Sequence, residues 1–319
     1  IHITGATAGG ILPTVEFPVD RKILDNNINA GISVTYSIER AGPPRAVWRS
    51  KVLNLSVGKY VHLEVPYVRE ADPLQQQLSP EAVFSGATVR VAVNPMYAAD
   101  WFTVKWLGTY GISDIEVMVP GNPKTNAVEA VIPPEVIAKG IRQNGNKITV
   151  QYSFTRGMFT YKSEVLTLDL LPLAVLPTPI IDGIGDTKVL PLYLLSDTAR
   201  TRIAPWSLAH KDQRIWMTYE GTFDDDSPFI EKTYIANLVT ADGVTNGIAS
   251  PTPTDKLLRL KVGSRLTIRF WVSFAQSTDQ STAVLLGVRE HLIQWVPATL
   301  PAPAFANRAG PTLSIYPLD

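Results

Sequence analysis

The stretch ITVQYSFTRGMFTYKSEVLTLDL (148–170) decides the fold. Ile148, Val150, Tyr152 and Phe154 alternate with Thr149, Gln151, Ser153 and Thr155, and Leu166, Leu168 and Leu170 alternate with Val165, Thr167 and Asp169. A period of two with one apolar and one polar side is the signature of strands with one buried face. Gly157 supplies the turn, so the stretch reads as an antiparallel hairpin. A slip of one residue would turn the whole apolar set to water, so the register is strongly specified.

The same pair of strands is written twice more. ISVTYSIERAGPPRAVWRSKVLNLSV occupies 32–57, and a more worn copy, LTIRFWVSFAQSTDQSTAVLLGV, occupies 266–288. Other landmarks keep the same order. An aromatic-x-Gly ends a strand at Trp106–Gly108 and Tyr219–Gly221, and IHITGAT, with Ile3 and Gly5, fits the same place. A proline precedes a polar turn at Pro18, Pro133 and Pro251. Apart from Gly5, spacings between matched landmarks run from roughly 113 to 118 residues. That length is close to one autonomous β-sandwich. The fold class is therefore all-β, built of tandem sandwich repeats of roughly 115 residues.

Helix is scarce. The chain carries 25 prolines, which argue against long helices. IPPEVIAKGI (132–141), with its counterparts FPVDRKILDNN and SPTPTDKLLRL, forms at most a short corner between sheets. Trp106 and Tyr219 share the inward phase of their strands and plug the core rather than stack on a sugar. A hydroxyl corner bond from Tyr152 is disfavoured, because the third copy has Phe270 in its place.

Composition narrows the function classes. The chain has 319 residues, of which 45% are hydrophobic, so a packed core is expected and global disorder is not. Lys plus Arg and Asp plus Glu both number 29, leaving no net charge to draw the chain to nucleic acid or an anionic membrane. Cysteine is absent, which excludes disulfides, thiolate metal sites and a thiol nucleophile. No run approaches the roughly 20 apolar residues that a membrane-spanning helix needs, and no signal peptide is visible.

The order of motifs carries a resemblance. Units open on a proline pair, LPTPII (176–181) and LPAPAF (300–305). They pass through aromatic-x-Gly-Thr and Ile/Ser-Pro to VxYSxxR and SxVLxL. This resembles the tandem immunoglobulin-like repeats of very large bacterial surface proteins, broadly the stalk domains of invasin and intimin adhesins. SFAQSTDQST departs from it by lacking the arginine found at Arg40 and Arg156. The resemblance implies all-β, tandem immunoglobulin-like β-sandwich repeats of roughly 115 residues in a rod-like array, serving as a non-catalytic spacer on a bacterial surface or in a secreted protein. Neighbouring repeats would be its partners, and it transfers no functional residue. The second reading is a binding module, in which divergent loops such as VTADGVTNGIASPTPTD (239–255) contact a host protein or glycan. Nucleic acid and membrane insertion are not expected.

The expected units are 1–58, the C-terminal part of a repeat; 59–174, complete; 175–297, complete and more divergent; and 298–319, the start of another. Matching both terminal pieces to the complete unit leaves strands missing at each end, so the chain is expected to be a segment of a longer array. The connectors LSVGKYVHLEVP (55–66), DLLPLAVLPTP (169–179) and IQWVPATLPAP (293–303) are short, apolar and rich in proline. Stiff joints follow from that composition, in contrast to a Gly/Ser tether.

Chemistry-bearing clusters are few. His2, His62, His210 and His291 are scattered outside any metal-ligand spacing and are expected at the surface or on edges. No Gly-x-Ser-x-Gly elbow or phosphate-cradling loop occurs, so the chain is not expected to be an enzyme. One acidic run, GTFDDDSPFIEK, brings Asp224, Asp225, Asp226 and Glu231 close together. Asp224 and Asp226 are the candidate calcium ligands, since calcium takes several oxygens from one loop. The spacing is not that of an EF-hand, and the matching loop GTYGISDIE offers only Asp114 and Glu116. A solvated acidic turn is the simpler reading, and no other cofactor is expected.

Overall fold

In the computed structural model the described residues are 16–295, apart from 29, 40, 41, 43, 44, 58–62, 110, 157 and 158. The copies of the landmarks at Ile3, Gly5, Arg40, Gly157 and 300–305, and the piece 298–319, lie outside them. The chain divides into two compact units. One comprises Ile1–Gly140 with Gly145–Leu171, the other Ile141–Asn144 with Pro172–Asp319.

The first unit begins with a helix α1 (Arg21–Asn26), capped by the Asp20 carboxylate on the Lys22 amide, and four short strands: β1 (Ala30–Val34), β2 (Ser37–Glu39), β3 (Val47–Arg49) and β4 (Leu53–Val57). β1 pairs with β4 and β2 with β3, setting Ile32 opposite Leu55 and Ser37 opposite Arg49. The unit continues through β5 (Tyr67–Val68), β6 (Gln77–Leu78), β7 (Ala87–Ala92), β8 (Trp101–Gly108), β9 (Ile115–Pro120) and β10 (Ala127–Ile132). After α2 (Pro134–Lys139) come β11 (Asn146–Arg156), β12 (Phe159–Lys162) and β13 (Leu166–Leu170).

One sheet of this unit has the order β10-β7-β5, the other β6-β13-β11-β8-β9 with β12 alongside β11. Trp106, Phe102 and Val104 from β8 and Ile148, Val150, Tyr152 and Phe154 from β11 are buried, as the alternation requires. From the first sheet, Val89, Val91, Ala130 and Ile132 are buried likewise. The hairpin of 32–57 keeps this register, since Ile148 faces Leu168 and Ser153 faces Lys162 in the longer copy. Its apolar phase is nevertheless open: Tyr36 is 56% exposed, against 1% for Tyr152.

The second unit repeats the order. Its strands are β14 (Ile180–Ile181), β15 (Val189–Pro191), β16 (Arg200–Ile203), β17 (Arg214–Thr222) and β18 (Pro228–Leu238), followed by helix α3 (Ala241–Asn246). Then come β19 (Ile248–Pro251), helix α4 (Thr254–Leu257), β20 (Arg265–Ser273) and β21 (Val284–Gln294). The sheets run β14-β16-β19 and β15-β21-β20-β17-β18, strand for strand the order of the first unit. Both units pair an early strand in parallel with the last one, β6 with β13 and β15 with β21. A three-stranded sheet facing a five-stranded one, with that strand order, is an immunoglobulin-like sandwich. Trp106 opposite Val150 is matched by Tyr219 opposite Ile268, and Val104 opposite Tyr152 by Met217 opposite Phe270. Trp106 and Tyr219 are both fully buried.

Gly108 is required by packing. A Cβ there would overlap the Ser113 hydroxyl, so the aromatic-x-Gly ending lets the following turn fold back onto the strand.

Two expectations are corrected here. Pro133, the N-cap of α2, has Pro253, the N-cap of α4, as its counterpart, whereas Pro251 ends strand β19. Proline is tolerated at a strand end as readily as at a helix start, so the residue type alone did not separate the two. Residues 239–255 are also not a free loop. They hold α3, β19 and the start of α4, and β19 is hydrogen-bonded into a sheet through Arg200–Ile203. The Thr240 hydroxyl, accepting from the Gly243 amide at 3.1 Å, starts the short helix.

Candidate functional site

The part of the first unit best built to hold a shape is its loop end, where the chain enters β8 and leaves β11. Asp100, 2% exposed, accepts from Arg156 Nε at 3.0 Å and Nη2 at 2.6 Å. Arg156 Nη2 also donates to the Pro95 carbonyl at 2.9 Å. The Tyr97 amide donates to Asp100 Oδ2 at 2.8 Å, and the Gly121 amide to the Asp100 carbonyl at 2.8 Å. Met96 N donates to Asn126 Oδ1 at 3.0 Å. Three separate stretches of chain are thereby tied to one bidentate ion pair.

The electrostatics follow from that geometry. Burial works to raise the Asp100 pKa, but the Arg156 hydrogen bonds, the Tyr97 amide and the Arg156 charge together hold it below the usual carboxylate value. The hydrogen bond to Asp100 outweighs burial and raises the Arg156 pKa. Asp100 is thus a fixed anion with no proton to exchange near neutrality, which suits a structural role and not general acid–base work.

Above this pair stand aromatic rings. The Arg156 guanidinium lies 4.3 Å from the Tyr97 ring centroid and 5.1 Å from that of Phe154. Phe154 stacks on Tyr161 at 5.0 Å. Tyr97 is 50% exposed and Trp101, outward on β8 opposite Pro120 and Thr155, is 53% exposed. Rings held on a rigid base can offer flat apolar faces at little entropic cost.

The second unit replaces every member. Where the first has Asp100 and Arg156, it has Gln213 and Phe274, and where the first has Tyr97 and Trp101, it has His210 and Arg214. Gln213 is buried and neutral, accepting from Trp206 Nε1 at 3.1 Å and donating to the Leu208 carbonyl at 2.9 Å. The frame is conserved between the units while this end is rebuilt. Sequence reading marked Arg156 but missed its partners, because Tyr97 and Asp100 sit in a loop without periodicity.

The acidic turn is a well-tied hairpin turn between β17 and β18. The Asp225 carboxylate accepts from the Ser227 hydroxyl and amide, which lower its pKa. Asp226 is ion-paired with Lys261, and Glu231 with Lys256 at 2.6 Å. The Asp224 amide donates to the Arg259 carbonyl at 3.1 Å. Among the described residues no group of three or more His, Asp or Glu is arranged to hold a metal. A calcium ion on Asp224 and Asp226 would have to displace Lys261. Asp114 and Glu116 are likewise occupied, by the Gly108 amide at 2.8 Å and by Lys105 at 2.6 Å.

His210 is exposed, as expected for a surface histidine, and His2 and His62 lie outside the described residues. His291 corrects the expectation: it is 1% exposed. Its strand has Ile293 on the same inward phase, and that phase outranks the residue's usual preference for water. Among the described residues no helix is long and apolar enough to cross a membrane.

No protein-family model matches the chain, and no curated protein matches it. Similar solved structures include a Ca2+-stabilized adhesin that helps an Antarctic bacterium bind ice (8% identity, TM-score 0.25). Another is a tetra-tandem repeat in the extending region of a large adhesion protein (9%, 0.31). In each case the match covers 83% of this chain and 57% of the other, so the chain spans little more than half their length. The FN1–FN3 domains of chicken CNTN1 are similar at 9% identity and a TM-score of 0.18, over 82% of this chain and 77% of that one. At such scores the likeness carries no weight for function.

Proposed function

We propose that this chain is a non-catalytic spacer segment of an extended, adhesin-like bacterial surface or secreted protein. The observation that carries the reading is the repetition of one sandwich, with the same strand order and cross-strand partners, in two units of a single chain. A repeated frame suits a part selected for length and stiffness. The short, proline-rich connector at 169–179 supports the same view. Solution scattering tests it: units on a stiff line give a radius of gyration well above the roughly 20 Å of one globule of this length. A value near that figure overturns the spacer reading.

A second reading, a binding module for a host protein or glycan, is favoured by the exposed Tyr97 and Trp101 on their ion-paired base. Comparing the wild type with Tyr97→Ala and Trp101→Ala on a glycan array and on immobilised host-surface proteins tests it. Selective loss of a wild-type signal supports binding, and absence of any wild-type signal removes this reading.

A further inference from the structure

The last strand of the second unit carries an arrangement that a spacer does not need. Gly287, Arg289, His291 and Ile293 follow one another on the inward phase of β21, and the segment 177–191 is laid along them. A Cβ on Gly287 would overlap the Pro177 carbonyl and press on Pro179 Cδ at 3.0 Å, so glycine admits the close pass. Arg289 then fastens the segment. Its Nη2 donates to Thr178 Oγ1 at 2.6 Å, its Nε to the Pro179 carbonyl at 3.0 Å, and its Nη1 pairs with Asp186. Further on, the Leu292 amide donates to the Lys188 carbonyl at 2.7 Å, and β15 runs parallel to β21.

His291 lies under this strap. It is 1% exposed, neither ring nitrogen makes a hydrogen bond of good geometry among the described residues, and the polar groups that face the ring are the strap's own backbone at Thr187 and Val189. The first unit has Leu168 at the same place, opposite Ile148 as His291 is opposite Leu266. A titratable ring has therefore replaced a leucine in an otherwise equivalent core. We propose that His291 is an acid-sensitive latch, whose protonation loosens the strap of residues 177–191 from the last strand.

The groups around the ring fix the direction. Arg289, on the same strand, already places one positive charge beside it, and Asp186, the anion on the strap, is committed to Arg289. From β20 the neighbour is apolar Leu266, while Arg265 is turned away to Glu290 at 3.1 Å. Burial is the main influence lowering the His291 pKa, followed by Arg289. The backbone of Thr187 and Val189 and the Asp186 charge oppose them without reversing the result. The opened form therefore binds a proton more readily than the closed form. The closed form's advantage is whole above the ordinary histidine pKa of 6.5 and shrinks as pH falls below it. Loosening gives the ring water and separates it from Arg289.

Hydrogen exchange on the full chain at pH 7.5 and 5.0, corrected for the intrinsic rate, tests the latch. In the wild type, protection of 178–191 should fall on acidification by up to about tenfold per pH unit below 6.5, while that of 67–78 in the first unit stays unchanged. His291→Leu, which installs the first unit's residue, should remove the pH dependence. Equal loss of protection in His291→Leu, or no selective loss in the wild type, overturns the proposal. If the variant does not fold, a wild-type NMR titration decides. The His291 ring and the strap amides moving together support the latch, and a ring titrating with the strap amides still refutes it.

Discussion

Tyr152 and Tyr219 are buried rings of the same type in two copies of one frame, and removal of their hydroxyls should have opposite effects. Tyr219 Oη donates to Thr201 Oγ1 at 2.7 Å, and Thr201 is itself bonded to Thr252 Oγ1 at 2.9 Å. Tyr152 Oη has no hydrogen-bond partner among the described residues, and burial pushes its pKa up to about 12. Tyr219→Phe removes one good hydrogen bond but leaves Thr201 with Thr252, so the cost is the net worth of a bond, about 1 kcal/mol. Tyr152→Phe removes a desolvated hydroxyl that nothing repays, a penalty of about 1–3 kcal/mol, so the first unit should gain stability. Phe270 occupies the matching place in the second unit, fully buried, so the frame accepts the smaller ring. For units of this size, 1 kcal/mol moves the melting temperature by about 3–5 °C. Scanning calorimetry of both variants should show one transition falling and another rising. Shifts of the same sign in both would refute the reasoning, because the difference rests on the hydroxyl partners alone.

Three further outcomes are expected. Trp106→Ala should destabilise the first unit by about 3–5 kcal/mol and leave the second transition nearly unmoved, and one shared transition shifting as a whole would show the units to be coupled. Asp100→Asn strands the Arg156 charge and should cost about 3–5 kcal/mol by urea unfolding. In the wild type the Asp100 contribution should be complete above pH 3.8 and vanish as pH falls through the lower folded value, since the native carboxyl binds its proton less readily. Millimolar calcium should leave the second unit's melting temperature unchanged, because Lys261 already neutralises Asp226; a rise that Asp224→Ala with Asp226→Ala abolishes would establish the metal site.

The sandwich was legible because its information is local and periodic. Alternation at 148–154 marks the buried face, and repeated spacing marks the second copy. What stayed hidden is set by contacts between distant residues. Asp100 meets Arg156 across 56 positions, and nothing in the loop holding Tyr97 announces that a guanidinium will lie against its ring. His291 was readable in principle, because it shares its phase with Ile293. A histidine's ordinary preference for water pointed the other way. The matching of Pro133 to Pro251 failed for a related reason, since proline marks a strand end and a helix cap alike.

The parallel seam between β15 and β21 also determines how the second unit would answer a pull. Tension applied toward the two chain ends slides these strands past one another along their length. The seam joins Val189 to Leu292, Leu190 to Ile293 and Pro191 to Gln294, so its hydrogen bonds carry the load together. Antiparallel strands drawn apart from one end would instead surrender their bonds singly. The first unit has two such pairs, Gln77 with Asp169 and Leu78 with Leu170. Under steady tension it should therefore yield first, and the second unit should hold until its short clasp shears as a whole.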